Sequence, residues 1–392
     1  MASTRRILTL NAISQTGLAQ LPASYVVGAD IAQPDAILVR SAKLHDMIIP
    51  ESVLAIGRAG AGTNNIPVPA LSARGVPVFN APGANSNAVK ELVIAGLLMA
   101  ARNLIPAIRF VEGLTGDDEA MQKAAEAGKK TFAGTELPGR TLGVIGLGAI
   151  GSLVADAAIK LGMNVIGFDP AITVEAAWRL PAQVKKANSV EEVVKAASFI
   201  SVHVPLLETT RNLINAERIA LMQPGTVLLN FAREGIVDNT AVLTGLQAGL
   251  LHAYINDFPA VALQGQRGVV CLPHLGASTM EAEENCAVMV ARQVTDYLEN
   301  GNILNAVNFP NIDMARESAY RVAIANANVP NMLGQISTAM AQAGLNIHTM
   351  VNKSRGEMAY TLVDVDSVVP DSVVKQLCAI SGVLAVRYLP VE

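Results

Sequence analysis

Two short segments of the chain place polar side chains among glycine and other small residues. One is residues 230–238, which contains Arg233, and the other is residues 272–278, which contains His274. The planar guanidinium of an arginine can bind a carboxylate and stabilise charge that develops on a keto oxygen. An imidazole can take the proton of a hydroxyl group, or return it, near neutral pH. Together the two residues predict oxidation of a hydroxyl group or the reverse reduction. Taken singly, Arg233 could pair with a neighbouring carboxylate, and His274 could be a turn residue.

A glycine-rich segment at residues 146–151 has the spacing of a dinucleotide-binding turn. It follows an apolar predicted strand and precedes a predicted helix. Gly146 permits the tight turn, Gly148 lets a pyrophosphate approach the backbone, and Gly151 lets the helix pack on the sheet. The free N–H groups at the helix N-terminus then face the phosphates. The strand, the turn and the helix in this order predict a dinucleotide site.

An acidic residue follows at a suitable distance from this turn. Asp169 ends the next predicted strand, eighteen residues after Gly151. Its carboxylate can accept both hydroxyls of a ribose and would repel a 2′-phosphate. The cofactor predicted from these residues is therefore NAD, in preference to NADP.

The elements that must position these residues alternate along the first three-quarters of the chain. Short apolar runs rich in β-branched residues are separated by helix-length segments, a pattern typical of parallel sheets covered on both faces. Strands are predicted at residues 6–10, 36–40, 52–56, 76–80, 141–145, 164–168, 198–202 and 226–230. Long helices are predicted at 86–105 and 278–299. The predicted fold class is α/β, with two Rossmann-like lobes.

The pattern changes after residue 310. Strands at 320–325, 345–351, 358–365 and 383–389 and helices at 331–343 and 371–380 give the order βαββαβ. This order within about seventy residues is typical of a ferredoxin-like α+β unit. A third domain is therefore predicted after a linker near residues 308–318.

Composition excludes several other classes of protein. The 392 residues carry a net charge of −4, so no electrostatic footprint for nucleic acid or an anionic membrane is expected. The three cysteines form no CxxC pair and the five histidines no zinc pattern, so no metal site is predicted. No signal peptide and no stretch of about 18 apolar residues is evident. A cytoplasmic protein is expected.

Six segments give the chain a resemblance to the D-isomer-specific 2-hydroxyacid dehydrogenases. They are residues 57–65, 80–87, 146–151, 203–210, 231–238 and 273–279. The resemblance implies a substrate lobe of residues 1–90 and 281–308 around an NAD lobe of residues 91–280, with a cleft that closes on substrate. The C-terminal domain would occupy residues 318–392.

The resemblance also implies a set of site residues. Arg233 would orient the substrate, His274 would be the acid/base, and Arg58 would hold a phosphate or carboxylate. The residues expected to bind the cofactor are Gly146, Gly148, Ala149, Ile150, Gly151, Asp169, Pro170, His203, Val204, Pro205, Ala232, Arg233, Asp257, His274 and Gly276. Those expected to bind substrate are Arg58, Ala59, Gly60, Ala81, Gly83, Asn85, Arg233 and His274. For His203, a structural turn role is an open alternative.

One catalytic position departs from the family pattern. Family members usually carry a glutamate three residues after the phenylalanine of an Asp-x-Phe segment, where it orients the histidine, and here Val261 occupies that place. Asn256 stands where the family commonly has an aspartate that contacts the nicotinamide amide. The neighbouring Asp257 is the hypothesised partial substitute for the glutamate, and slow turnover is the alternative. Asp257 therefore joins Arg233 and His274 as a predicted catalytic residue.

Residues 320–390 resemble an ACT domain, a regulatory unit that pairs edge to edge and buries an amino acid between two copies. Asn328 and Asn346 lie in the segments that bind serine in relatives, and amides suit an ammonium and a carboxylate. Asn331 replaces the glycine usual after Pro330 and adds bulk there. L-serine is the expected regulator, although both asparagines could merely cap turns. A homodimer or homotetramer is expected, through the NAD lobe and the ACT unit.

Through the resemblance, the sequence predicts the first of three functions, and the other two stay open as alternatives. The first is NAD-dependent oxidation of 3-phospho-D-glycerate to 3-phosphohydroxypyruvate, the opening step of serine biosynthesis. The second is a dehydrogenase for an unphosphorylated acid such as glycerate or hydroxypyruvate. The third is a sensor of cofactor and amino acid whose catalysis has decayed, which Val261 suggests and which the retained Arg233 and His274 oppose.

Overall fold

The structure, a computed structural model, describes residues 4–391 apart from the side chain of Glu175. The chain divides into two compact units. The first consists of Met1–Asn85 and Met280–Glu392, and the second is the inserted segment Ser86–Thr279.

The first unit contains a five-stranded parallel sheet in the order β2-β1-β3-β4-β5. Its elements are β1 Arg6–Leu10, α1 Gln15–Leu18, β2 Val26–Gly28, β3 Ala36–Val39, β4 Ala55–Arg58, α2 Val68–Ala73 and β5 Val78–Phe79. The four residues of β3 are all buried, as expected for a central strand covered on both faces.

The second unit contains a seven-stranded parallel sheet. Its elements are α3 Ser86–Ala101, α4 Leu104–Glu112, α5 Asp118–Gly128, β6 Thr141–Ile145, α6 Ala149–Lys160, β7 Asn164–Phe168, α7 Val174–Arg179, β8 Lys185–Lys186, α8 Val190–Ala196, β9 Phe199–Val202, α9 Ala216–Ala220, β10 Thr226–Asn230, α10 Asn239–Gln247, β11 Leu251–Asn256 and β12 Val269–Cys271. Short 3₁₀ turns lie at Lys129–Phe132 and Val261–Leu263.

The strand order in this sheet reverses next to β6. The sheet runs β12-β11-β10-β9-β6-β7-β8, so the chain builds outward from β6 in one direction and then from β9 in the other. Ligands of open α/β sheets bind at the carboxyl ends of the two strands that flank such a reversal. The fold therefore points to the loops after β6 and β9.

The first unit is completed by a long helix and a C-terminal α+β region. These elements are α11 Met280–Asn300, β13 Tyr320–Ala327, α12 Met332–Gln342, β14 Ile347–Arg355, β15 Met358–Val365, α13 Asp371–Cys378 and β16 Val383–Pro390. The four strands form an antiparallel sheet in the order β14-β15-β13-β16. One face packs against α12 and α13 around Val322, Ile336 and Val363.

The other face of this antiparallel sheet belongs to the core of the first unit. Tyr360 and Leu362 are buried in one cluster with Phe79 of β5 and Tyr297 of α11. The Tyr360 hydroxyl donates to the Gly301 carbonyl at 2.8 Å. The C-terminal sheet is therefore packed between its own helices and the end of α11.

Three arginines satisfy the carboxyl end of α11. The last four carbonyls of a helix have no partner within the helix. Arg387 donates to the carbonyls of Tyr297 (3.0 Å) and Leu298 (2.8 Å). Arg316 donates to Glu299 and Arg321 to Asn300, at 3.0 and 3.1 Å. Side chains from the linker and the C-terminal strands thus complete the helix end.

Arg321 is also half of a buried ion pair. Its Nε and Nη2 donate to the two carboxylate oxygens of Asp364 at 2.6 and 2.8 Å, and neither side chain is exposed. Burial alone would raise the pKa of Asp364, but the hydrogen bonds from Arg321 and from the Glu317 amide outweigh it and lower the pKa. The remaining guanidinium donors bond to backbone carbonyls, two of them those of Met314 and Ala315.

The predicted fold class is confirmed, with differences in detail. The helix expected at 86–105 is two helices, because Asn103 takes a left-handed conformation (φ 50°) between α3 and α4. The short strands β2, β8 and β12 and the six-residue strand β11 were not predicted. No single helix in residues 4–391 is long and apolar enough to cross a membrane, although α3 and α4, bent by 66°, meet that test as a pair.

Candidate active site

The glycine-rich turn lies at the reversal of strand order. Gly146 follows β6 in a left-handed conformation (φ 91°), which favours glycine. A Cβ on Gly146 would lie 2.5 Å from the carbonyl oxygen of His203, the residue that follows β9. Because Gly146 has no side chain, the ends of β6 and β9 can approach each other this closely.

The other two glycines of the turn have different surroundings. A Cβ on Gly151 would lie 1.9 Å from the Gly146 carbonyl oxygen, so this glycine is required by the packing of α6 against the turn. A Cβ on Gly148 would meet nothing within 4 Å. Gly148 thus borders open space at the N-terminus of α6, with Ala149 exposed and Ile150 partly exposed beside it. This is the geometry that a dinucleotide pyrophosphate needs.

Asp169 lies one residue beyond β7, the neighbour of β6. Its Oδ2 accepts the N–H of Leu147 within the glycine turn, and its Oδ1 accepts the N–H of Ala171, both at 2.9 Å. Pro170 beside it is exposed. The carboxylate is therefore fixed at the edge of the turn, where the ribose of a bound dinucleotide would lie.

His203 is held by its own strand. Its Nε2 lies 2.8 Å from the Oγ of the buried Ser201, and its Nδ1 is buried without a partner among the described residues. Burial lowers the pKa of the imidazole to about 4, so it is neutral at physiological pH. Val204 and Pro205 continue into an exposed loop.

Arg233 lies on the loop that follows β10, and Asn230 shapes this loop. The Asn230 side chain is 1% exposed; its amide donates to the Arg233 carbonyl at 3.0 Å and its oxygen accepts the Ala232 N–H at 3.2 Å. The Arg233 guanidinium is exposed and bonds to the Ala232 carbonyl at 2.6 Å. Asn230 was not predicted as a functional residue, although a strand-end asparagine that binds its following backbone is a recognisable turn signal.

His274 lies on the loop that follows β12. Its backbone is left-handed (φ 58°), and its ring forms a T-shaped contact with the Phe258 ring at a centroid distance of 5.1 Å. The N–H groups of Leu275 and Gly276 donate to the two carboxylate oxygens of Asp257, each at 2.7 Å. Because β10, β11 and β12 are adjacent, the Arg233 loop, Asp257 and the His274 loop leave the sheet at the same edge.

Asn256 and Val261, the two positions that depart from the expected pattern, lie in different surroundings. Asn256 is fully buried; its amide donates to the Cys271 sulfur at 3.3 Å and its oxygen accepts the Phe258 N–H at 2.9 Å. Val261 lies on a 3₁₀ turn and is 92% exposed. Neither side chain contacts His274 among the recorded hydrogen bonds and ring contacts of residues 4–391.

The comparisons with known proteins agree with this geometry. The family model described as "D-isomer specific 2-hydroxyacid dehydrogenase, NAD binding domain" matches residues 95–276. The D-3-phosphoglycerate dehydrogenase of Haemophilus influenzae is 33% identical over 350 residues, which cover 86% of this chain and 81% of that protein. The chain belongs to the D-isomer-specific 2-hydroxyacid dehydrogenases.

Two further proteins are similar to this dehydrogenase. The D-3-phosphoglycerate dehydrogenase of Methanocaldococcus jannaschii is 38% identical over 294 residues, covering 72% of this chain and about half, 53%, of that protein. A crystal structure of NAD⁺-bound 3-phosphoglycerate dehydrogenase from Entamoeba histolytica is similar with a TM-score of 0.59 and 25% identity; the match covers 78% of this chain and 99% of that one. The dehydrogenase is thus an NAD-dependent oxidoreductase by family.

The first unit of the dehydrogenase carries the other predicted substrate residues. Arg58 is the last residue of β4, and its Nε donates to the Arg40 carbonyl at 3.1 Å. A Cβ on Gly60 would lie 1.8 Å from Nη1 of Arg58, so the guanidinium lies over this glycine. The remaining residues of the set lie on the same unit: Ala59 and Ala81 are buried, Gly83 has a φ of 80°, and Asn85 is partly exposed.

The two predicted regulatory asparagines are far apart within one chain. The Asn328 amide donates to the Gly356 carbonyl, at the hairpin between β14 and β15. Asn346 exchanges hydrogen bonds with Asp366 at the other end of this hairpin. The nine residues of β14 separate the two ends by roughly 25–30 Å. Asn346 lines a groove of about 400 Å³ between α12 and β14.

Proposed function

We propose that this dehydrogenase catalyses NAD-dependent oxidation of 3-phospho-D-glycerate to 3-phosphohydroxypyruvate. The observation that carries the proposal is the emergence of the Arg233 and His274 loops from one edge of the sheet that bears the glycine turn. The names of the relatives at 33% and 38% identity support the phosphorylated substrate.

Each side chain has a definite task in the proposed reaction. His274 accepts the proton of the substrate hydroxyl on an imidazole nitrogen, and the guanidinium of Arg233 binds the carboxylate and stabilises the developing keto oxygen. Arg58 binds the phosphate or carboxylate at the other end of the substrate. When bound, NAD⁺ supplies the acceptor for the hydride that leaves the substrate carbon. The glycine turn and Asp169 hold the pyrophosphate and the ribose.

The test is NADH production from 3-phospho-D-glycerate, with D-glycerate as the unphosphorylated comparison. We expect kcat/KM to favour the phosphorylated substrate, and we expect Arg58→Ala to lower this preference because the phosphate loses a bidentate partner. An equal rate with both substrates would favour the hydroxypyruvate or glycerate dehydrogenase instead.

The absence of the family's glutamate at position 261 favours a second candidate, a homologue that binds the cofactor but turns over slowly or not at all. Tight NADH binding without turnover on any hydroxyacid would support it. The variant Val261→Glu restores the family's residue at this position; since Val261 is 92% exposed, we expect its rate and pH–rate profile to match the native ones. A large gain in kcat would show that the missing glutamate limits the enzyme.

We also propose a homodimer or homotetramer that acts in the cytoplasm. Leu104, Ile108 and Val111 form an exposed apolar stripe on α4, at 42%, 52% and 51% exposure, and no α4 residue is buried within the chain. A second copy of this chain would cover the stripe. Ile108→Glu should lower the mass found by light scattering, whereas Val174→Glu, at a valine on α7 that is 74% exposed, should not. A monomeric native protein would contradict the proposal.

L-serine is the proposed regulator at the C-terminal region. One amino acid cannot reach both Asn328 and Asn346 of the same chain across the length of β14. Antiparallel pairing of two β14 edges would bring Asn328 of one copy near Asn346 of the other. Serine should therefore inhibit the oligomer, and Asn346→Ala should abolish inhibition while the uninhibited rate stays native. Inhibition that survives this change would exclude the site.

A further inference from the structure

Asp257 binds the backbone of the loop that carries His274. It follows β11 directly and is 1% exposed. Its Oδ1 accepts the N–H of Leu275 and its Oδ2 the N–H of Gly276, both at 2.7 Å. Hydrogen bonds from backbone amides to a carboxylate are charge-assisted and stronger than neutral ones. Both carboxylate oxygens of Asp257 thus accept hydrogen bonds from the two residues that follow His274.

The backbone of His274 needs such support. A left-handed conformation is unfavourable for a residue with a Cβ and persists only where the surroundings hold it. The two amides bound by Asp257 belong to the next two residues, and Phe258, the residue after Asp257, contacts the imidazole. Gly276 permits this arrangement, since a Cβ there would lie only 3.2 Å from the Asp257 Oδ2.

We propose that Asp257 is the positioning residue for His274 and acts through the amides of Leu275 and Gly276, not through a hydrogen bond to the imidazole. The inference rests on the proposed role of His274 as acid/base. Asp257, the acidic residue beside Asn256, then has a defined role. His274 is oriented through its loop although Val261 points to solvent. The ring is placed by its backbone and by Phe258.

The variant Asp257→Asn separates this role from a purely structural one. It keeps the shape of the side chain but turns one acceptor into a donor that opposes an amide N–H. Misplacement of a catalytic group mainly lowers kcat. We expect a fall of roughly 10- to 100-fold in kcat, with the KM for NAD⁺ within about threefold of native.

The matched control is Asp238→Asn at the N-terminus of α10. Asp238 also accepts two backbone amides, those of Thr240 and Ala241, at 2.9 and 3.3 Å. This variant should lose a comparable amount of thermal stability and keep a kcat within about twofold of native. An equal loss of kcat in both variants would overturn the inference, because the effect would then follow general destabilisation.

A double variant distinguishes failure of this inference from failure of the proposed function. If His274→Ala retains the native rate, the proposed acid/base role is wrong. If His274→Ala loses activity, adding Asp257→Asn should produce no further loss, because both changes remove the same contribution. A further loss equal to that of Asp257→Asn alone would show that Asp257 acts independently of His274 and would overturn the inference.

Hydrogen exchange in the native protein gives a readout that does not depend on a variant folding. Leu275 is 41% exposed, yet its amide is bonded to Asp257. We expect slow exchange at the Leu275 and Gly276 amides and fast exchange at Ala277, for which no such bond is recorded. Fast exchange at all three would overturn the inference.

Discussion

Single polar side chains at strand ends position both predicted catalytic loops. Asn230 at the end of β10 binds the backbone around Arg233, and Asp257 after β11 binds the backbone after His274. Both anchors are buried, whereas Arg233 and His274 are exposed. The proposed chemistry of the site therefore rests on loops that are held by residues buried from solvent.

The glycines of the turn provide a prediction at this scale, since two of them have opposite surroundings. Gly148→Ala should fold like the native protein, because its Cβ meets nothing within 4 Å, and should bind NADH at least about tenfold more weakly. Gly151→Ala should lose about 1–3 kcal/mol of unfolding free energy, because its Cβ would clash with the Gly146 carbonyl. Thermal unfolding and NADH titration check both. Normal NADH affinity in Gly148→Ala would contradict the cofactor assignment.

His203 provides a prediction about pH. Burial lowers the pKa of its imidazole from the usual 6.5 to about 4 in the folded protein, so the unfolded chain binds a proton more readily. The stability contribution of the neutral ring is complete above pH 6.5 and is lost as pH falls from 6.5 towards 4, by up to about 3 kcal/mol. Urea unfolding of the native protein and of His203→Gln should diverge in this pH range. Parallel pH dependences would show that His203 does not contribute.

At the scale of elements, α11 depends on side chains from outside itself. Its last four carbonyls accept hydrogen bonds from Arg387, Arg316 and Arg321. Arg387 also lies over the Tyr297 ring, 4.5 Å from its centroid. A helix end that would otherwise face the C-terminal sheet with unbonded carbonyls is thereby satisfied.

The buried ion pair between Arg321 and Asp364 yields a prediction. Arg321→Met leaves the Asp364 carboxylate buried without its partner, so we expect a loss of about 3–5 kcal/mol of unfolding free energy. Lys160→Met removes an exposed pair with Asp156 on α6 and should cost less than about 0.5 kcal/mol. Urea unfolding of both variants measures the difference. Equal small losses would mean that Arg321 is compensated by other contacts.

The sequence predicted the elements that hydrophobic patterning defines and missed those that tertiary contacts define. Long apolar strands such as β6 and β10 were predicted to the residue, because burial on both faces gives an unbroken apolar run. The two-residue strand β8 contains only lysines and exists through pairing with β7. The break at Asn103 is indicated only by local residue types, since Pro106 lies in the first turn of α4 and asparagine tolerates the left-handed conformation. Patterning carries no signal of such features.

The candidate site was predictable from the sequence to about the same extent as the fold. Motif spacing predicted the glycine turn, Arg233 and His274, whose side chains carry the proposed chemistry. It did not indicate that Asp257 bonds to backbone amides, because these amides come from a loop eighteen and nineteen residues later. Nor did it separate Asn328 from Asn346, since their distance is set by the length of the β14–β15 hairpin.

At the scale of the whole molecule, the C-terminal region shares the core of the first unit. Removal of the chain after Ala315 would expose the faces of Phe79 and Tyr297 and free the carbonyls that end α11. We expect the shortened chain to bind a hydrophobic dye and to unfold at a lower temperature than the intact protein. An unchanged melting temperature without dye binding would show that the first unit is stable without this region.

Protein engineers often build chimeras by joining a catalytic part from one enzyme to a sensor part from another at the linker. If the C-terminal region of this chain were replaced in this way, Arg321 and Arg387 would be lost, and the last turn of α11 needs both. The replacement domain would have to supply guanidinium groups at the same places, or α11 would need a C-terminal cap from its own sequence. Modularity here depends on Arg321 and Arg387, and on Arg316 as well where the linker is cut after it.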